Sequence, residues 1–295
     1  MNQKCKVTSG CYGKIYLHTL KPLLSFKVKQ RSIFHVYIKY IQHIMKRATL
    51  FFVAGLFVTT ATAQRPNPDK IETNAGALMV QPVFHGSLVL TWNNKTIYID
   101  PYNGAKAFAG IAPPDLILIT DIHGDHMNVE TLNAIETAKA KLVVPQAVAD
   151  QLPENLKSKA VVVGNGNRIT ESGISISALP MYNLPESADS RHTKGRGNGY
   201  VLTFGDKVVY ISGDTEDIPE MRALKNIDVA FVCMNLPYTM DINQAASAVL
   251  DFKPKIVYPY HYRGQGGLND VEGFKKLVDE GKASIEVRLR NWYAE

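Results

Sequence analysis

Cysteine is nearly absent from this chain of 295 residues: there are three, and two of them, Cys5 and Cys11, fall within the first 44 positions. Beyond that segment only Cys233 is left, so no internal disulfide can form there. Its place in the apolar run DVAFVCMN reads as a buried strand thiol. Acidic residues are missing from positions 1–44, which carry eight lysines and arginines. Those eight, with Lys46 and Arg47, make ten of the 33 basic residues; the other 23 face 27 acidic residues, so the rest of the chain carries −4 against +6 for the whole. The sequence pI near 9.0 therefore belongs to the front end, and nucleic-acid binding by the folded body is not expected. Long apolar runs are missing too. The stretch from Ala48 to about Val58 is short of the roughly 20 residues a spanning helix needs, which argues against a stable membrane anchor.

That stretch has a different use. MKRATLFFVAGLFVTTATAQ, from Met45, has a basic start, an apolar centre and small residues at Ala61 and Ala63, the layout of a signal peptide cleaved after Ala63. The expected organisation is a non-native upstream extension over 1–44, a signal peptide over 45–63 and one domain over 64–295, exported to the periplasm or secreted. The last segment is long enough for one sizeable core.

Strand-like runs dominate the body. SLVLTW (87–92) and KTIYID (95–100) flank Asn93-Asn94, and GYVLTF (199–204) and KVVYIS (207–212) flank Gly205-Asp206, two hairpin signals. LILIT (116–120), KLVVP (141–145), VVVG (161–164), ISISALP (174–180), DVAFVCM (228–234), KIVYPY (255–260) and SIEVRLR (284–290) complete the set. Helical periodicity is expected over 127–140, 242–252 and 271–281, the second capped by Asp241. Hairpins followed by strand–helix alternation indicate an α/β domain of sheet layers covered by helices.

What is plentiful is metal-ligand chemistry at strand ends. DLILITDIHGDHMN (115–128) packs Asp121, His123, Asp125 and His126 behind a buried strand, a costly grouping unless something binds it. His261 follows KIVYPY, Asp214 follows KVVYIS, His85 stands between two apolar runs, and His192 lies in the polar loop ESADSRHTKGRGNGY. A sheet can present all of these into one cleft.

These residues resemble the metallo-β-lactamase-fold hydrolase superfamily, in particular its uncharacterised and lactonase-like branch, over about residues 78–290. The motif His-x-His-x-Asp-His is matched by Asp121-Ile122-His123-Gly124-Asp125-His126. The resemblance implies a four-layer αββα sandwich with two divalent metal ions at the edge of its sheets, zinc first, with manganese or iron as alternatives. It implies Asp121, His123 and His192 on one metal, Asp125, His126 and His261 on the other, and Asp214 bridging. Asp125 and Asp214 would be the catalytic carboxylates, and His85 (HGS) and Asp100 (IDP) would stand just behind the ligands.

The first position departs from the pattern, because Asp121 replaces a histidine. Either one metal site is lost or the carboxylate coordinates instead. In the second case Asp121, Asp125 and Asp214 bring −3 to the site, which would make it a weaker Lewis acid than one beginning with histidine. The expected activity is hydrolysis of a small ester or lactone-like substrate by a metal-bridged hydroxide. Phosphodiester hydrolysis on the same fold and a non-catalytic metal- or ligand-binding module are the alternatives. Lys194, Arg196 and Arg263 are candidate contacts to substrate, and Tyr182, Tyr238 and Met240 either line the pocket or pack the core.

Overall fold

The computed structural model of this chain describes residues 36–43 and 65–294; the signal peptide expected over 45–63, Cys5 and Cys11 lie outside the described residues. Residues 36–43 form a helix, α1, exposed along its length. No helix among the described residues is long and apolar enough to cross a membrane.

Residues 65–294 build two seven-stranded sheets. The first runs β1 (Asp69–Thr73), β2 (Gly76–Phe84), β3 (Ser87–Trp92), β4 (Lys95–Ile99), β5 (Leu116–Leu118), β6 (Lys141–Val144) and β7 (Ala160–Val162) in spatial order. It is antiparallel up to β4 and parallel from there on. The second is built from β8 (Arg168–Glu171), β9 (Ile174–Met181), β10 (Gly197–Phe204), β11 (Lys207–Ile211), β12 (Val229–Cys233), β13 (Ile256–Tyr260) and β16 (Glu286–Val287), again antiparallel first and parallel after β11. A small ribbon, β14 (Arg263–Gly264) with β15 (Gly267–Leu268), follows His261.

The period-2 alternation of strand side chains separates the layers. Leu88, Leu90, Ile97, Ile99, Leu116, Leu118 and Val143 pack in one core with the second sheet. Their neighbours Val89, Tyr98, Ile117, Ile119, Leu142 and Val144 point the other way, against α2 (Val129–Ala134), α3 (Gln146–Gln151) and α4 (Glu154–Lys157). On the second sheet, α5 (Pro219–Arg222), α6 (Ile242–Phe252) and α7 (Val271–Glu280) contribute Met221, Ala245, Val249, Phe274 and Val278 to the core. Helix–sheet–sheet–helix is the result, a mixed α/β sandwich. β12 is buried at all five positions because both its faces are covered, as in parallel sheets generally.

Both expected hairpins form. Asn93 and Asn94 take φ of 48° and 59°, the left-handed pair that a two-residue hairpin turn requires, and Asp241 caps α6 in a reciprocal pair with Gln244. Three expectations are corrected. The helix over 127–140 stops at Ile135, whose extended backbone begins the return to Lys141, the partner of Leu116 in the sheet. The strand over 161–164 is Ala160–Val162. The strand over 284–290 pairs only at Glu286–Val287, because the tail then leaves the sheet to bury Trp292.

Candidate metal centre

The topology brings the chain turns that follow β2, β4, β5, β9, β11 and β13 to one end of the sandwich. His85 lies between β2 and β3, Asp100 follows β4, and Asp121 to His126 follow β5. His192 lies between β9 and β10, Asp214 follows β11, and His261 follows β13. His123 O accepts from both His126 N (2.9 Å) and Met127 N (2.8 Å), a tight turn that sets His123 and His126 side by side.

Three site residues hold left-handed backbone without being glycine: His85 (φ 56°), Asp100 (43°) and His261 (49°). Such strain persists only where surrounding structure imposes it, and it concentrates at functional sites. Here His261 N donates to His85 O at 3.2 Å, and a Cβ on Gly86 would stand 3.0 Å from His261 Cδ2 and 3.6 Å from His126 Cε1. A side chain here would press on the His261 ring, so glycine leaves the two rings room to close over this turn.

The donors form three groups: Asp121, His123 and His192; His126, Asp214 and His261; and His85, Asp125 and His261, the last two sharing His261. Asp214 links them, with Oδ2 3.3 Å from both His126 Nε2 and His192 Nε2 and Oδ1 3.4 Å from His261 Nε2. Asp125 Oδ2 lies 3.3 Å from His85 Nε2 and 3.4 Å from His261 Nε2. His123 Nδ1 lies 2.8 Å from Asp121 Oδ2. Both ring nitrogens of His192, Nδ1 of His261 and Oδ1 of Asp214 are buried without a hydrogen-bond partner among the described residues. Buried polar atoms are rarely left so; of these, His192 Nε2 and Asp214 Oδ1 face the cluster, and unpaired imidazole and carboxylate donors turned toward one point are what a divalent cation satisfies. The residues fit metal.

Asp100, fully buried, fixes one of these rings. Its Oδ2 lies 2.8 Å from His126 Nδ1 and 2.6 Å from Thr120 Oγ1, and its Oδ1 accepts from Thr120 N at 2.7 Å. With Nδ1 committed to a carboxylate, Nε2 is the atom offered to the centre. Electrostatics follow from the same crowding. Burial opposes charge on His126, but Asp214, Asp100 and Asp125 override it and lift its pKa well above 6.5. Burial likewise opposes ionisation of Asp214, Asp125 and Asp121, and the surrounding histidines hold all three below the ordinary carboxylate value. His85 is pushed down, chiefly by burial.

A cavity of about 360 Å³ opens on this centre, lined by His85, Tyr102, His123, Asp125, Asp214 and Asn235, with Arg191, Tyr238 and Arg263 completing its wall. The expected substrate contacts divide here. Arg263 lines the cavity, its guanidinium 4.4 Å from the Tyr293 ring centroid. Lys194 does not; Glu186 (2.9 Å) and Glu220 (3.2 Å) hold it over the Tyr182 ring. Arg196 does not either, because it is spent on Asp121. Tyr182 and Met240 are buried in the core, and Tyr238 lines the wall. His85, read as standing behind the ligands, belongs to a donor group itself.

Sequence reasoning missed Arg191, which stacks 4.2 Å from the Tyr238 centroid, and Tyr293, whose hydroxyl lies 2.8 Å from His85 Nδ1 and accepts from Arg263 N at 3.0 Å. Tyr293 sits in a C-terminal tail with no motif to mark it. Arg191 adjoins His192, and that adjacency was the available signal.

Fold and site together define a metal-dependent hydrolase of the metallo-β-lactamase superfamily. The chain belongs to the family described as "Beta-lactamase superfamily domain", whose model matches residues 80–261. It is 32% identical over 207 residues to a UPF0173 metal-dependent hydrolase of Pyrococcus abyssi, covering 66% of this chain and 89% of that one. A relative of the same name from Thermococcus onnurineus is 33% identical over 204 residues, covering 65% and 88% of the two chains. Among solved structures, a provisionally named metal-dependent hydrolase of Parabacteroides distasonis superposes with a TM-score of 0.68 at 38% identity, covering 76% of this chain and 98% of its own. The metallo-β-lactamase-fold protein YhfI of Bacillus subtilis, at 13% identity, shares the fold with a TM-score of 0.56 over 70% of this chain and 89% of its own.

Proposed function

We propose that this hydrolase cleaves a small ester or lactone carrying an anionic group, with two divalent metal ions held by Asp121, His123 and His192 on one side and His126, His261 and Asp125 on the other, Asp214 between them. The observation that carries the reading is the cavity wall: Arg191 and Arg263 line the same cavity as His123, Asp125 and Asp214. Each guanidinium rests on a tyrosine face, which keeps its fork of donors oriented for a carboxylate or phosphate. Bound divalent ions would supply water activation and polarisation of the scissile carbonyl. The carboxylate share of the donor set suits zinc, manganese or iron.

The chain's own residues do the rest. Asp100 holds the His126 ring so that Nε2 faces the centre. Asp125, on the cavity wall and partly exposed, is placed to take a proton from water and return it to the leaving group. Asp214 sets the spacing of the two donor groups. The wall arginines would serve a phosphodiester as well, so that class is the second reading. The signal-like pattern over 45–63 supports export, and the size of the cavity supports a small-molecule substrate.

The test is a turnover screen of metal-loaded protein against lactones and linear esters with and without a carboxylate or phosphate group, alongside phosphodiesters. Preferential cleavage of the anionic carboxylic esters is expected. Turnover of phosphodiesters alone would replace the ester reading, and tight metal binding with no turnover in any class would make the chain a binding module.

A further inference from the structure

We propose that Asp121 and Arg196 act as one unit that replaces, in charge and in aim, the histidine with which the His-x-His-x-Asp-His pattern begins; the proposal deepens the metal-dependent reading above and rests on it. Asp121 is fully buried and Arg196 half-buried, with side-chain exposures of 0% and 19%. The guanidinium engages the carboxylate as a fork, Nε to Oδ1 at 3.0 Å and Nη2 to Oδ2 at 2.9 Å. Oδ2 is also the oxygen that faces the centre, 2.8 Å from His123 Nδ1 and 4.0 Å from His192 Nε2. The fork thus removes two degrees of freedom from the carboxylate and leaves one oxygen turned toward its two histidine companions.

Charge is conserved by the pair. Asp121, Asp125 and Asp214 carry −3, and Arg196 within 3.0 Å brings the group to −2, the value it would have with a neutral histidine at 121 and no arginine. The weaker Lewis acidity expected from Asp121 alone is therefore offset inside the protein. Topology enforces the partnership. Asn198 N donates to Thr120 O at 2.9 Å, and a Cβ on Gly197 would stand 2.8 Å from that same oxygen. The segments carrying 121 and 196 are thus held backbone to backbone, so a carboxylate at 121 always finds the side chain at 196 beside it. Arg196 is a positioning residue: it acts on the metal through Asp121.

The experiment measures metal per chain by elemental mass spectrometry, and melting temperature with and without metal, for the wild type, R196M, D121H and D121H/R196M. Two equivalents are expected in the wild type. D121H, which leaves Arg196 as an uncompensated cation, should hold one, and the double variant should regain the second. R196M should lose several degrees of melting temperature metal-free and much less when loaded, because a divalent ion then neutralises the stranded carboxylate. A purely structural ion pair would cost both forms equally, and that result overturns the proposal. So does full occupancy in D121H alone. One equivalent in the wild type removes Asp121 as a ligand, while the turnover screen separately decides whether the remaining donors still catalyse hydrolysis.

Discussion

Asp100 Oδ2 stands 2.8 Å from Nδ1 of His126, both side chains fully buried, and this contact decides which nitrogen of the histidine reaches the metal centre. Replacing Asp100 by asparagine keeps the shape and removes the charge. D100N is expected to weaken metal binding by roughly ten- to a hundredfold, the usual cost of losing a partner that orients a ligand. A chelator-competition titration reads this directly, and unchanged affinity would show that Thr120 alone holds the ring.

His261 belongs to two of the three donor groups, with Nε2 3.4 Å from carboxylate oxygens of both Asp125 and Asp214. H261A should therefore lose one metal equivalent and at least about a hundredfold in kcat. Metal analysis alongside steady-state kinetics checks both halves.

The wall arginines predict a split between binding and chemistry. R191M and R263M should each raise KM for an anionic ester by roughly tenfold or more, the worth of one charge-assisted hydrogen bond, with kcat nearly kept. A neutral ester of the same size should be indifferent. Equal loss on both substrates would mean that the arginines only shape the cavity.

The pH dependence of metal binding follows from His126. Its pKa in the fold lies well above 6.5 because three carboxylates outweigh its burial. The stabilisation from that proton is fully present below the unfolded histidine value and is lost as pH rises through the higher folded value. Coordination at Nε2 requires the proton to leave, so apparent metal affinity should climb with pH, by up to about tenfold per unit, until pH passes the raised folded value. Asp214 and Asp125 have the opposite sign: their contribution is present above the ordinary carboxylate value of 3.8 and fails only as pH falls through lower native values. A flat affinity profile across neutrality would contradict the charged state of His126.

Trp292 anchors the C-terminal tail. Its ring is fully buried, with Nε1 donating to Ser87 O at 3.2 Å, and the next residue sets its hydroxyl against His85. W292A should cost about 3–5 kcal/mol in denaturant unfolding. Y293F should leave stability nearly intact while loosening His85, seen as weaker metal retention on dialysis.

Much of this was legible in the chain alone, because its signals are local. The strand-like runs SLVLTW and KTIYID with Asn93-Asn94 between them specified a hairpin. The crowding of Asp121, His123, Asp125 and His126 behind a buried strand pointed to a metal site, because so many polar groups at a sheet edge are costly unless something binds them. The short helices α3 to α5 were not legible: they span six residues or fewer, less than two helical turns, too little for a periodic pattern to show. The early end of α2 was set by the distance back to Leu116, a constraint that no local propensity contains.

The sequence by itself determined the class of fold, the strand-end placement of the histidines and the metal-ligand character of the site, since each depends on residues a few positions apart. Only the tertiary structure decided which cations serve that site. Lys194, Arg196 and Arg263 are alike as loop charges beside ligands, yet one is held by surface glutamates, one neutralises Asp121 and one faces the cavity. Arg191 and Tyr293 join them from segments with no motif of their own. A long side chain goes to whatever partner the fold brings within about 3 Å, and that partner can lie 75 positions away in the chain, as Asp121 does from Arg196, or 208, as His85 does from Tyr293.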